Sequence, residues 1–187
     1  MDDSGAPDAI IRAESPADHE AIAIVVARAF GSANEARLVD SIRASSDFVP
    51  EWSLIAVQRR CVVGHVMVSY VTLSASDTRH RVPSLSPLAV HPDFQGRGIG
   101  SALVRAVTAR VDAAGEPLIV LEGSPAYYGR FGFEYAVPLG IEINLPEWAP
   151  PEAAQLLRLR NYDPRIRGQL VYPPAFDVVT DPRPPST

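Results

Sequence analysis

The segment Gln95-Gly96-Arg97-Gly98-Ile99-Gly100 constrains this chain more than any other, because three alternating glycines stand at the start of its clearest amphipathic helix. Behind them Ile99, Leu103, Val107 and Val111 recur every four residues, with Ala102 and Ala106 beside them, and Gly115 closes the run. A glycine weakens a helix by about 1 kcal/mol relative to alanine. Three of them together point to a backbone that something must approach closely. Val82 to Val90, just upstream, reads as a strand interrupted by Pro87, and so as bulged or open on one side there. Strand, loop, glycines and helix together present exposed N–H groups, and about half an elementary charge of helix dipole, to an anion. A pyrophosphate suits such a place.

Two nucleotide-binding patterns compete for the same residues. A P-loop needs lysine directly after its last glycine, whereas Ser101 stands there and the chain contains no lysine. A dinucleotide-binding fold accounts for Gly96 and Gly98 and puts an acid, Glu122, about where a ribose-binding carboxylate belongs. Against it, Ser101 replaces the third glycine or alanine, and five residues, His91 to Gln95, separate strand from glycine. The preceding segment also reads as antiparallel hairpins.

That hairpin is visible in Trp52 to Ala75, where Ser53-Leu54-Ile55-Ala56-Val57 and Val62 to Leu73 flank a polar turn, Gln58-Arg59-Arg60. Earlier, Ala9 to Ala13 is β-capable. Ser15-Pro16-Ala17-Asp18 then announces a helix reaching about Phe30, with Asp18 placed to reach back as a capping-box acid. Asn34, Leu38, Val39 and Ile42 predict a second helix. Downstream of the glycine turn, Pro117 to Leu121 is a short apolar strand, and Pro125 to Arg130 a brief helical turn before Phe131-Gly132-Phe133. The proline-rich remainder offers Ile141 to Ile143, Leu156 to Leu159 and Gln169 to Tyr172 as strands.

With 187 residues, 47% of them hydrophobic, one substantial core and one domain are expected. That domain should span residues 8–180, between a disordered start at 1–7 and a frayed tail at 181–187. No run approaches the roughly 20 apolar residues of a membrane span, and Met1-Asp2-Asp3-Ser4-Gly5 lacks the basic start of a signal peptide. A soluble, cytoplasmic protein is expected. Cys61 is the single cysteine, without disulfide or metal partners nearby. All 17 basic residues are arginine, the net charge is −5, and no basic stripe invites nucleic acid.

Leu88-Ala89-Val90-His91-Pro92-Asp93-Phe94-Gln95-Gly96-Arg97-Gly98-Ile99-Gly100 closely resembles the acetyl-CoA signature of the GNAT superfamily of N-acetyltransferases. The family pattern Gln/Arg-x-x-Gly-x-Gly/Ala falls on Gln95, Gly98 and Gly100. Pro125-Ala126-Tyr127-Tyr128-Gly129-Arg130-Phe131-Gly132-Phe133 resembles the second motif, a tyrosine followed four and five residues later by Gly-Phe. Its Tyr-Tyr-x-Arg-Phe-Gly-Phe form is similar to that of a bacterial branch of predicted acetyltransferases. The resemblance covers about residues 9–136, and more thinly a C-terminal extension, 137–180.

The resemblance implies an α/β (α+β) fold with a mixed, mostly antiparallel central sheet, flanked by helices and splayed into a V where the strands ending near Val90 and Leu121 part. It implies acetyl-CoA as co-substrate, with its pantetheine arm paired to Leu88, Ala89 and Val90 and its pyrophosphate held by Gln95, Gly96, Arg97, Gly98, Ile99, Gly100 and Ser101. Tyr128 takes the position of the general acid, and a phenol with an ordinary pKa of about 10 is protonated at neutral pH. Tyr127 is expected to pack against the cofactor, and a backbone amide at Val90 or a neighbour to meet the oxyanion. Glu122 and His65 are candidate bases, against readings as a solvated strand end and a packed strand residue; a water chain would also serve. His91 reads as a loop residue.

The activity so implied is direct transfer of an acyl group, chiefly acetyl, to a primary amine in a ternary complex. The acceptor class stays open among small amines and peptide or protein amines, and a homodimer is common among such proteins. An acyl-CoA sensor on the same scaffold would share the glycine turn, although retention of Tyr128 argues against it.

Overall fold

The structure, a computed structural model, describes residues 9–180; the expected disordered start at 1–7 and frayed tail at 181–187 lie outside them. Nine strands form one sheet among the described residues: β1 Ile10–Ala13, β2 Phe48–Gln58, β3 Cys61–Ser74, β4 Arg79–Val90, β5 Leu118–Glu122, β6 Glu134–Tyr135, β7 Ile141–Glu142, β8 Ala154–Arg158 and β9 Gly168–Val171. Its order is β1-β2-β3-β4-β5-β8-β6, with β9 added to the far end of β3 and β7 alongside β9. Helices α1 His19–Phe30 and α2 Asn34–Arg43 cover one face, α3 Ile99–Ala113 covers the other, and the short α4 Pro125–Tyr128 and α5 Asp177–Thr180 complete the set. No helix among the described residues is long and apolar enough to cross a membrane.

Local chemistry explains the start of α1. The Asp18 carboxylate accepts hydrogen bonds from the Ser15 N–H at 2.8 Å and the Ser15 hydroxyl at 2.7 Å, and two more from Arg12, each at 2.8 Å. The left-handed Gly31 (φ 70°) ends the helix. The β2–β3 turn is made by Arg59 and Arg60, both with positive φ (49° and 67°), which matches the twist of a tight hairpin. Period-two alternation in β2 and β3 sends Leu54, Ala56, Val66 and Val68 toward α3, and Ile55, Met67, Val71 and Leu73 toward α1 and α2.

One feature of the sheet positions everything functional. Strands β4 and β5, joined through α3, are parallel and meet at a single residue pair, Ser84 with Val120. Strand β5 pairs along its whole length with β8, from Leu118–Arg158 to Glu122–Ala154. Strand β4 instead stays with β3 through Val90–Gly64, shifting register between Leu85 and Leu88 around Pro87. The two strands diverge, leaving the edge of β4 from Leu85 to Val90 without a β5 neighbour. A chain with no amide donor at position 87 tolerates that loss of a neighbour.

Candidate active site

Two clefts open along the free edge of β4, only a few residues apart. The first, of about 600 Å³, lies against the glycine turn and is lined by Leu88 and Val90 of β4, by Gln95, Gly96 and Gly98, by Ile99, Gly100 and Ser101 of α3, and by Phe94, Tyr127 and Arg130. The second, of about 1170 Å³, starts at Ser84, Leu85 and Ser86 of the same strand and includes Glu122, Tyr172 and Trp148. Only Pro87 lies between Ser86 and Leu88, which are two positions of strand apart, on the order of 7 Å.

At the first cleft the backbone carries the chemistry. Gly98 takes φ 76° and hands the chain into α3, and Gly96 turns at φ 72°. The first N–H to close a helical turn is that of Ala102, onto the Gly98 carbonyl at 2.9 Å. The N–H groups of Ile99, Gly100 and Ser101 therefore have no carbonyl one turn earlier, and no side chain caps this helix start. These residues fit a diphosphate: open donors, the positive end of a 15-residue helix, and the Arg130 guanidinium at the rim. Gly100 serves otherwise than Gly96 and Gly98. A β-carbon there would stand 2.5 Å from the Tyr127 hydroxyl, so its bare backbone makes room for that phenol.

Most of the residues expected at the cofactor line this cleft, and two do not. The Ala89 side chain is buried in the core on the α1–α2 face, so only its main chain belongs to the free strand edge. Arg97 lies outside the lining, with its guanidinium 5.3 Å from the Phe94 ring. Gln95 ties the turn to the strand by donating from Nε2 to the Val90 carbonyl at 3.0 Å. Phe94 and Arg130 were not singled out by sequence. Arg130 donates to the Tyr127 carbonyl at 3.2 Å and stands 4.7 Å from the Tyr127 ring centre.

Tyr128 lines neither cleft, although its neighbour Tyr127 lines the first, and Glu122, next to the Gly123 that its ring covers, lines the second. Its ring meets Phe133 and Tyr127 edge-on, with centroids 5.6 and 4.9 Å apart, and lies so close over Gly123 that any side chain there would collide with it. Burial, reinforced by Tyr127, raises the Tyr128 phenol above its usual pKa, so it holds its proton firmly. Gly123 directly follows Glu122 and is pinned by its N–H to Ala153 (3.0 Å) and its carbonyl to Gln155 Nε2 (2.8 Å). The tyrosine ring thus rests on the corner that carries the carboxylate. Glu122, exposed at the end of β5, accepts a 2.6 Å hydrogen bond from the Tyr172 hydroxyl; partial desolvation by the protein around it raises its pKa, and that hydrogen bond opposes the rise.

His65, the other candidate base, is fully buried and lines neither cleft. Its Nε2 lies 3.0 Å from the Ser53 hydroxyl and 3.3 Å from Glu14, whose carboxylate also accepts from Arg43 at 2.7 and 2.9 Å. Desolvation lowers the pKa of His65 in spite of Glu14, which keeps the ring neutral. The expectation that it could deprotonate an amine meets a side chain with no exposed surface. His91 is at the loop, where its Nδ1 accepts from the Asp93 N–H at 3.3 Å.

Comparison with known proteins gives the family. The family model described as an acetyltransferase (GNAT) domain matches residues 10–136. The chain belongs to the GNAT acetyltransferase family. Among GNAT relatives, the protein named uncharacterized N-acetyltransferase YhbS, from Escherichia coli K12, is 32% identical over 137 residues, 73% of this chain and 80% of its own length. Uncharacterized N-acetyltransferase YjhQ of the same strain is 34% identical over 110 residues, a match spanning 59% of this chain and 61% of that protein. The crystal structure of E. coli YhbS in complex with CoA superposes with a TM-score of 0.80 at 29% identity, covering 93% of this chain and 94% of that one. A GNAT acetyltransferase from Brucella melitensis in complex with acetyl-CoA gives 0.73 at 30% identity, covering 90% and 98%. The mixed, mostly antiparallel GNAT sheet expected from the sequence is the sheet observed. The antiparallel β3–β4 hairpin ahead of the glycine turn separates it from a doubly wound dinucleotide-binding sheet.

Proposed function

We propose that this GNAT protein transfers an acetyl group from acetyl-CoA to a primary amine, with the thioester entering from the glycine-turn cleft and the amine from the β5 side. The observation that carries this reading is the divergence of β4 and β5 beyond Ser84 and Val120, which puts the two clefts on one exposed strand edge. Support for the donor side also comes from the two similar solved structures, one in complex with CoA and the other with acetyl-CoA.

In this mechanism the first turn of α3 and Arg130 hold the diphosphate, and the β4 edge from Leu88 to Val90 aligns the pantetheine arm. Glu122 accepts a proton from the incoming ammonium, a task its raised pKa favours. The freed nitrogen lone pair forms the C–N bond at the thioester carbonyl, and a main-chain N–H at Val90 or its neighbour meets the charge on oxygen. As the C–S bond breaks, Tyr128 gives its phenolic proton to the leaving thiolate and is reprotonated from solvent. The products are the N-acetylated amine and free CoA.

Thiol release from acetyl-CoA across an amine panel, with calorimetric binding of CoA measured in parallel, tests the proposal. Amine-dependent release that collapses in Tyr128→Phe, with CoA affinity retained, is the expected result. Binding of CoA with no release for any amine would replace the enzyme by a sensor.

A further inference from the structure

The acceptor-side cavity has a chemical bias of its own, and the inference below rests on the reading that acetyl transfer takes place there. Among the described residues, its sixteen lining members include one carboxylate, Glu122, and no arginine or histidine, in a protein with 17 arginines and no lysine. The remainder divides between apolar side chains, such as Leu85, Leu170 and Phe176, and uncharged polar ones. Two of those polar groups already satisfy each other, since Gln169 Nε2 donates to Asn144 Oδ1 at 2.8 Å. Trp148 stands at the rim with 85% of its surface exposed, an unsatisfied apolar face beside the opening.

A ligand's ammonium group finds a partner here in Glu122, whose Oε1 is bonded to Tyr172. A ligand's carboxylate finds none. An amino acid seated with its nitrogen at the thioester would place an anion one carbon away, beside Glu122 and with no cation in the lining. An unpaired charge taken out of water is expensive, and a like charge nearby adds to the cost. The body of the ligand, by contrast, meets leucine, phenylalanine and tryptophan surface that gains from being covered.

We propose that the acceptor is a small cationic amine on an apolar or aromatic body that carries no carboxylate, and that the cavity rejects the corresponding amino acids. The selectivity comes from the absence of a basic lining residue together with the carboxylate at the end of β5. Gln169, half-buried on β9 in that lining, is where a cation would reverse it.

Matched pairs test this directly: tryptamine against tryptophan and phenethylamine against phenylalanine, each assayed by thiol release with acetyl-CoA. In the wild-type protein kcat/KM for the amine should exceed that for its amino acid by about 100-fold or more, the scale on which sites discriminate when a buried polar group is left unpaired. In Gln169→Arg the ratio should fall at least tenfold through improved use of the amino acid. Because each ratio is internal to one preparation, partial loss of folded protein does not alter it. Equal or better use of the amino acids, or acetylation confined to protein or peptide lysines, would overturn the inference and leave acetyl transfer standing. CoA binding with no release from any amine would remove both.

Discussion

The two clefts proposed as the donor and acceptor ends of the active site lie a few residues apart on β4 but are built by opposite means. At the proposed donor end the groups offered to the ligand are chiefly main-chain N–H donors, gathered within seven consecutive residues from Gln95 to Ser101 and shaped by glycine conformation, with Arg130 the one cationic side chain among the described residues of the lining. At the acceptor end they are side chains drawn from distant parts of the chain: Leu38 of α2, Ser84 of β4, Glu122 of β5, Trp148 of a loop and Tyr172 beyond β9. A backbone site is indifferent to most side-chain change, so it can serve one common donor across a family. A side-chain site is free to vary, and acceptor choice belongs there.

Substitutions can break this contrast, beginning with the strongest. Tyr128→Phe keeps the ring over Gly123 and removes only the hydroxyl with its proton, so kcat should fall by about 10²–10⁴-fold with CoA affinity unchanged, as steady-state kinetics and calorimetry would reveal. Equal loss of CoA binding would make Tyr128 a cofactor-packing residue. Gly98→Ala acts at the other end: an L side chain in the left-handed region costs about 1–2 kcal/mol, so CoA binding should weaken by roughly tenfold. The acceptor KM should stay put.

Tyr172→Phe sharpens the comparison through pH. The Tyr172 hydroxyl holds the Glu122 pKa down against desolvation, so its removal raises that pKa. Glu122 works as a base only when ionised, and the acid limb of kcat/KM should move to higher pH. An unmoved limb would take Glu122 out of the base role. The smallest effect belongs to stability, away from both clefts. The folded-state pKa of His65 is depressed, so below about 6.5, where an unfolded histidine protonates, the unfolded chain takes up protons that the folded one refuses. Stability is then lost as pH falls through that value. Melting temperatures measured from pH 7 to 5 should fall less steeply in His65→Gln than in wild type.

How far each end could be read in advance follows from the same contrast. The glycine turn, α3 and the tyrosine pair are local patterns, and so was the hairpin ahead of them. Glu122 was legible as a strand end, but its partner Tyr172 lies 50 residues away and no spacing rule joins them. Gly123 carried a readable signal, a glycine directly after a candidate base, whose meaning appears only once the Tyr128 ring lies over it. The two-residue β6 was not foreseen, because so short an edge pairing with β8 has no periodicity to display. His65 looked like chemistry and proved to be buried with Glu14 and Arg43, because alternation along β3 turns it to the α1–α2 face.

The most direct test of the donor end is a crystal structure of this protein grown with CoA. The account predicts diphosphate oxygens within hydrogen-bond distance of the N–H groups of Ile99, Gly100 and Ser101, with the pantetheine arm running along Leu88 to Val90. Diphosphate bound away from the start of α3, or an arm that avoids the free edge of β4, would contradict it.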